Sequence, residues 1–270
     1  MKTQPEGAGR AGDLAALENR LRSLGRVVVA YSGGVDSAYL MDVAHRLLGF
    51  QDALAVTAVS ASLAPSELED GRRLAAEKGW RWRAVVTDEA SRPDYEANGA
   101  DRCYHCKSEL MEHLGPIATG EAATVVLGVN LDDLGEHRPG QRAALERGAV
   151  FPLVEAGYTK AAVRDAARTA ALRVWNKPAA ACLASRVPYG TPVTLGTLDR
   201  VSRAEEALRA MGFRQLRVRH YGDLARLEVE GEDLARAVAE REEIVAAVKA
   251  AGYEYVTLDL EGFRSGNLNS

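Results

Sequence analysis

Val27-Val28-Val29-Ala30-Tyr31-Ser32-Gly33-Gly34-Val35-Asp36-Ser37-Ala38-Tyr39-Leu40 is the stretch whose reading decides the fold. A short β-branched apolar run feeds a Ser-Gly-Gly-Val-Asp-Ser turn, and a helix-compatible segment follows at once. Two glycines let the backbone turn sharply and approach a ligand with no Cβ in the way. The next helix directs unpaired N–H groups and the positive end of its dipole into that turn. Ser32 and Ser37 add hydroxyl donors. The expected product is an anion pocket for a phosphate-like group, lined by Ser32, Gly33, Gly34, Asp36 and Ser37. No Gly-Lys-Ser/Thr follows the glycines, so the turn is not a Walker loop. A plain glycine turn with capping serines is the competing reading. The full Ser-Gly-Gly-Val-Asp-Ser run behind a buried-type strand favours nucleotide binding.

Strand signals recur outward from this point, at Arg26–Tyr31, Ala53–Val59, Arg81–Val86 and Thr124–Gly128. Helix-like segments occupy Leu14–Leu24, Ser37–Leu48, Pro65–Lys78, His105–Leu114 and Thr159–Leu172. The strands are near-continuous apolar runs, as expected when both faces of a parallel sheet are covered. Their alternation with helices predicts right-handed βαβ units and a doubly wound, mainly parallel α/β sheet. Ligands of such sheets sit at the carboxyl ends of the strands, where the Ser-Gly-Gly turn lies.

Trp175 to Pro192 breaks the pattern with Pro178, Pro188, Gly190 and Pro192. Beyond it come a helix (Leu198–Met211), two strands (Gln215–Tyr221 and Ala225–Val229), a helix (Asp233–Ala250) and a strand (Tyr253–Asp259). That order suits a smaller α+β domain. The expected organisation is a flexible tail at 1–12, an α/β domain at 13–175, a linker loop at 176–195 and a C-terminal α+β substrate domain at 196–270.

The chain has 270 residues, 47% hydrophobic and 27% charged, which fits a soluble globular protein with ample core. No apolar run approaches the roughly 18 residues of a membrane span. The polar, Gly-rich start carries no apolar signal core, so a cytoplasmic location with no membrane partner is expected. A formal net charge of −4 gives no global pull toward nucleic acid. Three cysteines do not suggest a disulfide framework.

Chemistry-bearing residues cluster in four places. Gly128-Val129-Asn130-Leu131-Asp132-Asp133 follows a strand, and its glycine and paired carboxylates suit Mg²⁺ beside phosphates. A polar Asx-rich turn is the bland alternative. Cys182 lies in a loop four residues from Arg186 and five from Lys177, cations of the kind that accompany reactive thiols. A small buried hydrophobe is the ordinary fate of such a residue. Cys103 and Cys106 form a Cys-x-x-Cys pair, a unit for metal or redox chemistry, or simply two structural thiols. Arg217 and Arg219 alternate on a strand, so they share a face that suits a phosphate or dicarboxylate if it is not merely solvated. Glu205-Glu206, Glu240–Glu243 and Arg72-Arg73 read as solvated helix faces.

The Ser32–Ser37 turn resembles the PP-loop of ATP pyrophosphatases. Three further stretches narrow the resemblance: Cys182-Leu183-Ala184-Ser185-Arg186 with Pro188-Tyr189-Gly190, Arg102-Cys103-Tyr104-His105-Cys106-Lys107, and Leu258 to Gly266. Over nearly its whole length the chain is similar to the LarE family of ATP-dependent sulfur transferases. The resemblance implies ATP and Mg²⁺ as cofactors and pyridinium-3,5-biscarboxylic acid mononucleotide as the small-molecule partner. Its product is a thiocarboxylate precursor of the nickel-pincer nucleotide of lactate racemase.

The implied roles fall on Ser32, Gly33, Gly34, Asp36, Ser37, Gly128 and Asp132 for ATP, on Arg186, Arg217 and Arg219 for the acidic substrate, and on Cys182 for sulfur transfer. In one version of the family, the residue matching Cys182 surrenders its own sulfur and becomes dehydroalanine. In another, three cysteines hold a [4Fe-4S] cluster, and Cys103, Cys106 and Cys182 are the three here. A homo-oligomer is expected, and no nucleic-acid partner. Two other classes compete: a PP-loop tRNA thiolase, which calls for a basic patch, and a non-catalytic ATP-binding module, in which Cys182 would have no role.

Overall fold

The structure, a computed structural model, describes residues 12–135, 139–178 and 181–264. The tail expected at 1–12 lies outside the described residues apart from Gly12, as do Ala179 and Ala180 of the linker loop and Ser265 and Gly266 of the C-terminal motif.

In chain order the elements begin with α1 (Leu14–Leu24), β1 (Val27–Ala30), α2 (Val35–Leu48), β2 (Ala53–Val59), α3 (Pro65–Glu77) and β3 (Arg81–Val86). Next come α4 (Pro93–Glu96), α5 (Arg102–Gly120), β4 (Thr124–Leu127), α6 (Pro139–Glu146), α7 (Pro152–Glu155) and α8 (Lys160–Thr169). They end with α9 (Leu195–Ala210), β5 (Leu216–Tyr221), β6 (Leu224–Val229), α10 (Leu234–Ala239), α11 (Arg241–Ala250) and β7 (Tyr255–Leu258). Two compact units result. Among the described residues the first takes 12–59, 67–87 and 103–178, and the second takes 60–66, 88–102 and 181–264.

The first unit holds a parallel sheet in the order β3-β2-β1-β4. Successive side chains of a strand point to opposite faces. Val27 and Val29 of β1, with Ala53 and Ala55 of β2, bury against Leu17 and Leu21 of α1, Leu40 and Val43 of α2 and Val163 of α8. Val28, with Leu54, Val56, Val125 and Leu127, buries against Leu110 and Leu114 of α5 and Ala144 of α6. Both faces of β1 are therefore dry, which is why its sequence is a continuous apolar run. The fold is doubly wound α/β, and the second unit carries a small mixed α+β sheet in its C-terminal part.

One boundary differs instructively. The sequence pattern ends a helix at Leu114, before Gly115-Pro116, yet α5 runs on to Gly120 with Pro116 inside it. An interior proline costs about 3 kcal/mol or more, and burial of Leu114 and Ala118 in the core on that face offsets it.

The second unit carries a mixed sheet in the order β5-β6-β7. β5 and β6 are antiparallel about Gly222, whose φ of +65° suits glycine, and β7 runs parallel to β6. Leu216, Val218, Ala225, Leu227 and Val229 bury against Ala204 and Leu208 of α9 and Ile244 and Val248 of α11. Alternation sends Arg217, Arg219, Arg226 and Glu228 to the other face. The single helix expected over Asp233–Ala250 is two, broken at Glu240, whose φ of −93° and ψ of 23° leave helical values. The Arg236 guanidinium donates to the Glu240 carboxylate at 2.8 Å, holding that break. Among the described residues no helix is long and apolar enough to cross a membrane.

Candidate functional site

The chain leaves β1 for β2 on one side and later returns to β4 on the other. Strand order reverses at that point, and open α/β sheets bind ligands in the crevice at the carboxyl ends there. The turn after β1 and the Gly128–Asp133 turn after β4 both lie at this crevice. Gly33 has φ +74°, a left-handed conformation that other residues adopt only with strain. Gly34 precedes α2 in extended backbone, and no side chain caps the helix. A Cβ there would meet only Ser32 Oγ at 3.4 Å, so the approach to the first turn of α2 is open. The serines first brace the loop. Ser37 Oγ donates to the Gly34 carbonyl at 3.1 Å and accepts the Ser32 N–H at 3.2 Å.

Gly128 answers to close approach. A Cβ on it would lie 2.6 Å from Ser37 N and 2.8 Å from the Asp36 carbonyl carbon. The end of β4 thus abuts the backbone of α2, and carries the next turn into the crevice. There Asn130 Nδ2 donates to Asp36 Oδ1 at 3.1 Å, and Asn130 Oδ1 accepts the Asp132 N–H at 3.0 Å. Asp133 Oδ2 accepts the Asn130 N–H at 3.2 Å. From α8, capped by Thr159, the Lys160 ammonium pairs with Asp36 Oδ2, and the Lys160 backbone N–H donates to Asp132 Oδ2 at 2.8 Å. Magnesium needs only one or two carboxylates when substrate phosphates complete its shell. Asp36 and Asp132 fit that demand, and among the described residues no three acidic, His or Cys side chains converge into a ready-made metal site.

Cys103 and Cys106 open α5 three residues apart, so they share a helical face; Cys103 is exposed and Cys106 half-buried. Gly140 of α6 packs on that turn, where a Cβ would stand 2.9 Å from the Cys103 carbonyl oxygen. Tyr104 donates to Glu146 at 2.6 Å and stacks under Arg142, pinning the start of α5 to α6.

Within the second unit, exposed Cys182 begins a tight turn over Leu183–Arg186. The turn is tied down from several sides. Leu183 N–H donates to the Ser62 carbonyl at 2.9 Å, Arg102 to the Ala184 carbonyl at 3.0 Å, and Arg186 to the Ala181 and Cys182 carbonyls at 2.8 and 3.1 Å. Buried Asn98 donates to the Pro188 and Thr191 carbonyls, both at 2.8 Å.

Arg186 also forks onto Glu205 at 2.7 and 3.1 Å, and Glu205 accepts Arg209 at 2.8 Å and the Val218 N–H at 3.1 Å. Arg219 forks onto Glu228, both bonds 3.0 Å, and reaches the Ser185 carbonyl at 2.9 Å. Arg217 differs. It is buried over the Phe263 ring at 4.7 Å, with no carboxylate pairing with it among the described residues. Burial, then the charges of Arg186 and Arg219, push its pKa down, the mark of a cation short of counter-charge.

No family model matches the chain. An uncharacterized protein of Synechocystis sp. is 47% identical over 249 residues, covering 91% of this chain and 92% of that protein. The pyridinium-3,5-bisthiocarboxylic acid mononucleotide synthase of Lactiplantibacillus plantarum is 36% identical over 256 residues, covering 94% of this chain and 93% of that protein. The chain belongs to the LarE family. An uncharacterized protein of Methanocaldococcus jannaschii is 29% identical over 245 residues, or 89% of this chain and 91% of that one.

For this LarE-family chain, the structure gathers Ser32, Gly33, Gly34, Asp36, Ser37, Gly128 and Asp132 at one crevice of the first unit. Arg186, Arg217 and Arg219 gather in the second unit, on the loop of Cys182 and the strand beside it. Cys103 and Cys106 belong to the first unit and Cys182 to the second. The solvated-face reading of Glu205-Glu206 needs correction: Glu205 is fully buried between two guanidiniums. The signal was present, because Glu205 stands four residues after Val201 in the stripe Leu198, Val201, Ala204, Leu208. Lys160, Asn130 and Asn98 join these networks without a site assignment from the sequence. The Asn130-x-x-Asp133 capping pattern could have flagged Asn130, whereas nothing local marks Lys160 or Asn98.

Proposed function

We propose that the chain is an ATP-dependent sulfur transferase that converts a carboxylate of pyridinium-3,5-biscarboxylic acid mononucleotide to a thiocarboxylate, in nickel-pincer nucleotide biosynthesis. The observation that carries this reading is the match of 36% over 94% of the chain to a synthase of the bisthiocarboxylic acid mononucleotide. The crevice of the first unit supports the ATP half, since a glycine turn, an uncapped helix start and flanking carboxylates suit a Mg²⁺-bound polyphosphate.

A carboxylate is a poor electrophile, so its oxygen first attacks the α-phosphorus of ATP and pyrophosphate departs. A thiolate then adds to the carbonyl carbon, and AMP leaves with the original carboxylate oxygen. If Cys182 is that thiolate, loss of its Cα proton and breakage of its Cβ–Sγ bond leaves sulfur on the product and dehydroalanine in the chain. No external oxidant or reductant is required. Arg217, a buried cation with no ion-paired carboxylate among the described residues, is the residue we assign to the anionic substrate, with Arg186 and Arg219 holding the site in shape.

The Cys103–Cys106 pair leaves a second sulfur source to be tested. That source rests on the family resemblance alone, in which three cysteines hold a [4Fe-4S] cluster that would supply sulfide-derived sulfur; among the described residues Cys103, Cys106 and Cys182 do not form a group placed to hold a metal.

Pyrophosphate release is the test of the reaction. It should require both ATP and the pyridinium substrate, with mass spectrometry finding oxygen replaced by sulfur. Release dependent on tRNA, or ATP binding without turnover, would overturn the proposal. Anaerobic protein that holds iron and turns over repeatedly assigns the sulfur to the cluster. Iron-free protein that loses H₂S at residue 182 after one transfer assigns it to Cys182.

A further inference from the structure

Three buried arginines hold the backbone of the Cys182 turn, each through its Nη1. Arg186 Nη1 donates to the Ala181 and Cys182 carbonyls, Arg219 Nη1 to the Ser185 carbonyl and Arg102 Nη1 to the Ala184 carbonyl. The other edge of a guanidinium, its parallel Nε–H and Nη2–H, fits a carboxylate in a forked pair of bonds. Arg186 uses that edge on Glu205, and Arg219 uses it on Glu228. Arg102 differs. Its Nη1 also donates to Asn98 Oδ1, while its Nε and Nη2 meet no acceptor among the described residues. Two forks are filled by glutamates of the fold, and the third is open.

A buried cation without an ion-paired carboxylate carries an uncompensated charge. The surrounding segment is nevertheless built to keep Arg102 in place. Asn98 is fully buried with φ +55°, an uncommon conformation for a residue that has a Cβ. From there its side chain accepts from Arg102 and donates to the Pro188 and Thr191 carbonyls, and its own carbonyl accepts the Gly190 N–H at 3.1 Å. Those bonds fix the turn that displays Tyr189. The Tyr189 ring is half-exposed, and its centroid lies 5.5 Å from the Arg102 guanidinium carbon. An aromatic ring held partly in water on a braced turn adds little to the core and suits stacking against a flat ligand. The open fork, the ring and Cys182 all belong to the second unit.

We propose that the open fork of Arg102 receives a carboxylate borne on an aromatic ring, and that Tyr189 stacks against that ring. The inference rests on the function proposed above and deepens it. The carboxylated pyridinium ring of the substrate binds here, and Arg217 serves another of its anionic groups. Arg102 grips Ala184, two residues from Cys182, so a ring on this edge lies at the turn that carries the thiol.

The test is pyrophosphate release by the full chain, with KM measured separately for the pyridinium mononucleotide and for ATP. Arg102→Lys keeps the charge but loses the fork, and should raise KM for the mononucleotide about 10-fold. Tyr189→Leu, at an exposed position, should raise it roughly 3–10-fold. Neither should change KM for ATP. Two inhibitors separate the carboxylate from the phosphate. Benzene-1,3-dicarboxylate should inhibit the wild type and lose potency against Arg102→Lys, whereas ribose 5-phosphate should inhibit both alike. A merely structural role for Arg102 would weaken the two inhibitors together.

The wild type gives a reading that needs no variant. Benzene-1,3-dicarboxylate should slow nitration of Tyr189 by tetranitromethane and leave exposed Tyr255 unaffected, read by peptide mass spectrometry. An unchanged mononucleotide KM in Tyr189→Leu, equal loss of both inhibitors in Arg102→Lys, or Tyr189 nitration indifferent to the dicarboxylate would each overturn the proposal and leave the proposed function standing. Wild-type protein that releases no pyrophosphate with the mononucleotide would overturn that function, and this inference with it.

Discussion

The two units handle charge in opposite ways. In the first, the crevice is built from backbone: a glycine turn, a helix start and a Gly128 that lets β4 abut α2, with Lys160, 33% exposed, and Asp36, 16% exposed, pairing across it. In the second, the charges are interior. Arg219 and Glu228 are 1% and 0% exposed, and Arg186 and Glu205 are likewise buried. Solvated pairs exchange partners at little cost, whereas a buried charge depends on the partner it has. On the proposed function, the first unit would accept and release a charged ligand, and the second holds a guanidinium array rigid around Arg217.

The sharpest way to break this comparison is Glu205→Ala. It leaves Arg186 buried without a carboxylate, and should cost about 3–5 kcal/mol in denaturant unfolding. A cost comparable to that of Lys160→Gln, expected within about 1 kcal/mol, would mean the two regions do not differ. Gly128→Val comes next. Its side chain would collide with the backbone at Ser37, so a loss of about 1–3 kcal/mol is expected, together with loss of pyrophosphate binding. Retained pyrophosphate binding in a folded Gly128→Val protein would remove close packing of β4 on α2 from the account.

Arg217 and Arg219 sharpen the contrast inside the second unit. Arg219→Met strips Glu228 of its forked partner and should destabilise the fold. Arg217→Met removes a buried cation that forms no ion pair among the described residues, so stability should hold or rise while the pyridinium substrate binds more weakly and ATP does not. Matched losses of stability in the two variants would return Arg217 to a structural role.

The smallest effect concerns His220, which is buried against the Tyr253 hydroxyl at 3.2 Å, with Arg200 and Asp223 as its charged neighbours. Burial, then Arg200, lowers its pKa. The unfolded chain, with an ordinary His pKa of about 6.5, therefore takes up the proton more readily. The stability from this group is present above that value and is lost as pH falls through the lower folded pKa. His220→Phe should flatten this part of the acid slope in thermal melts, and an unchanged slope would exclude His220 as its source.

By itself the sequence determined the strand–turn–helix at Val27–Leu40, the doubly wound class and the family. Each rests on local pattern: apolar runs report burial on both faces, and glycines report backbone that a Cβ would obstruct. Only the tertiary structure decided which charges are committed. Lys160 meets Asp36 across 124 residues of chain, and Glu228 accepts Arg219 from the neighbouring strand. Glu205 lies in an apolar stripe, yet it stays interior because Arg186, on the Cys182 loop, brings the counter-charge. Periodicity shows which face of an element is dry. Whether a carboxylate can remain there depends on a cation delivered by a distant segment, and local sequence carries no record of that meeting.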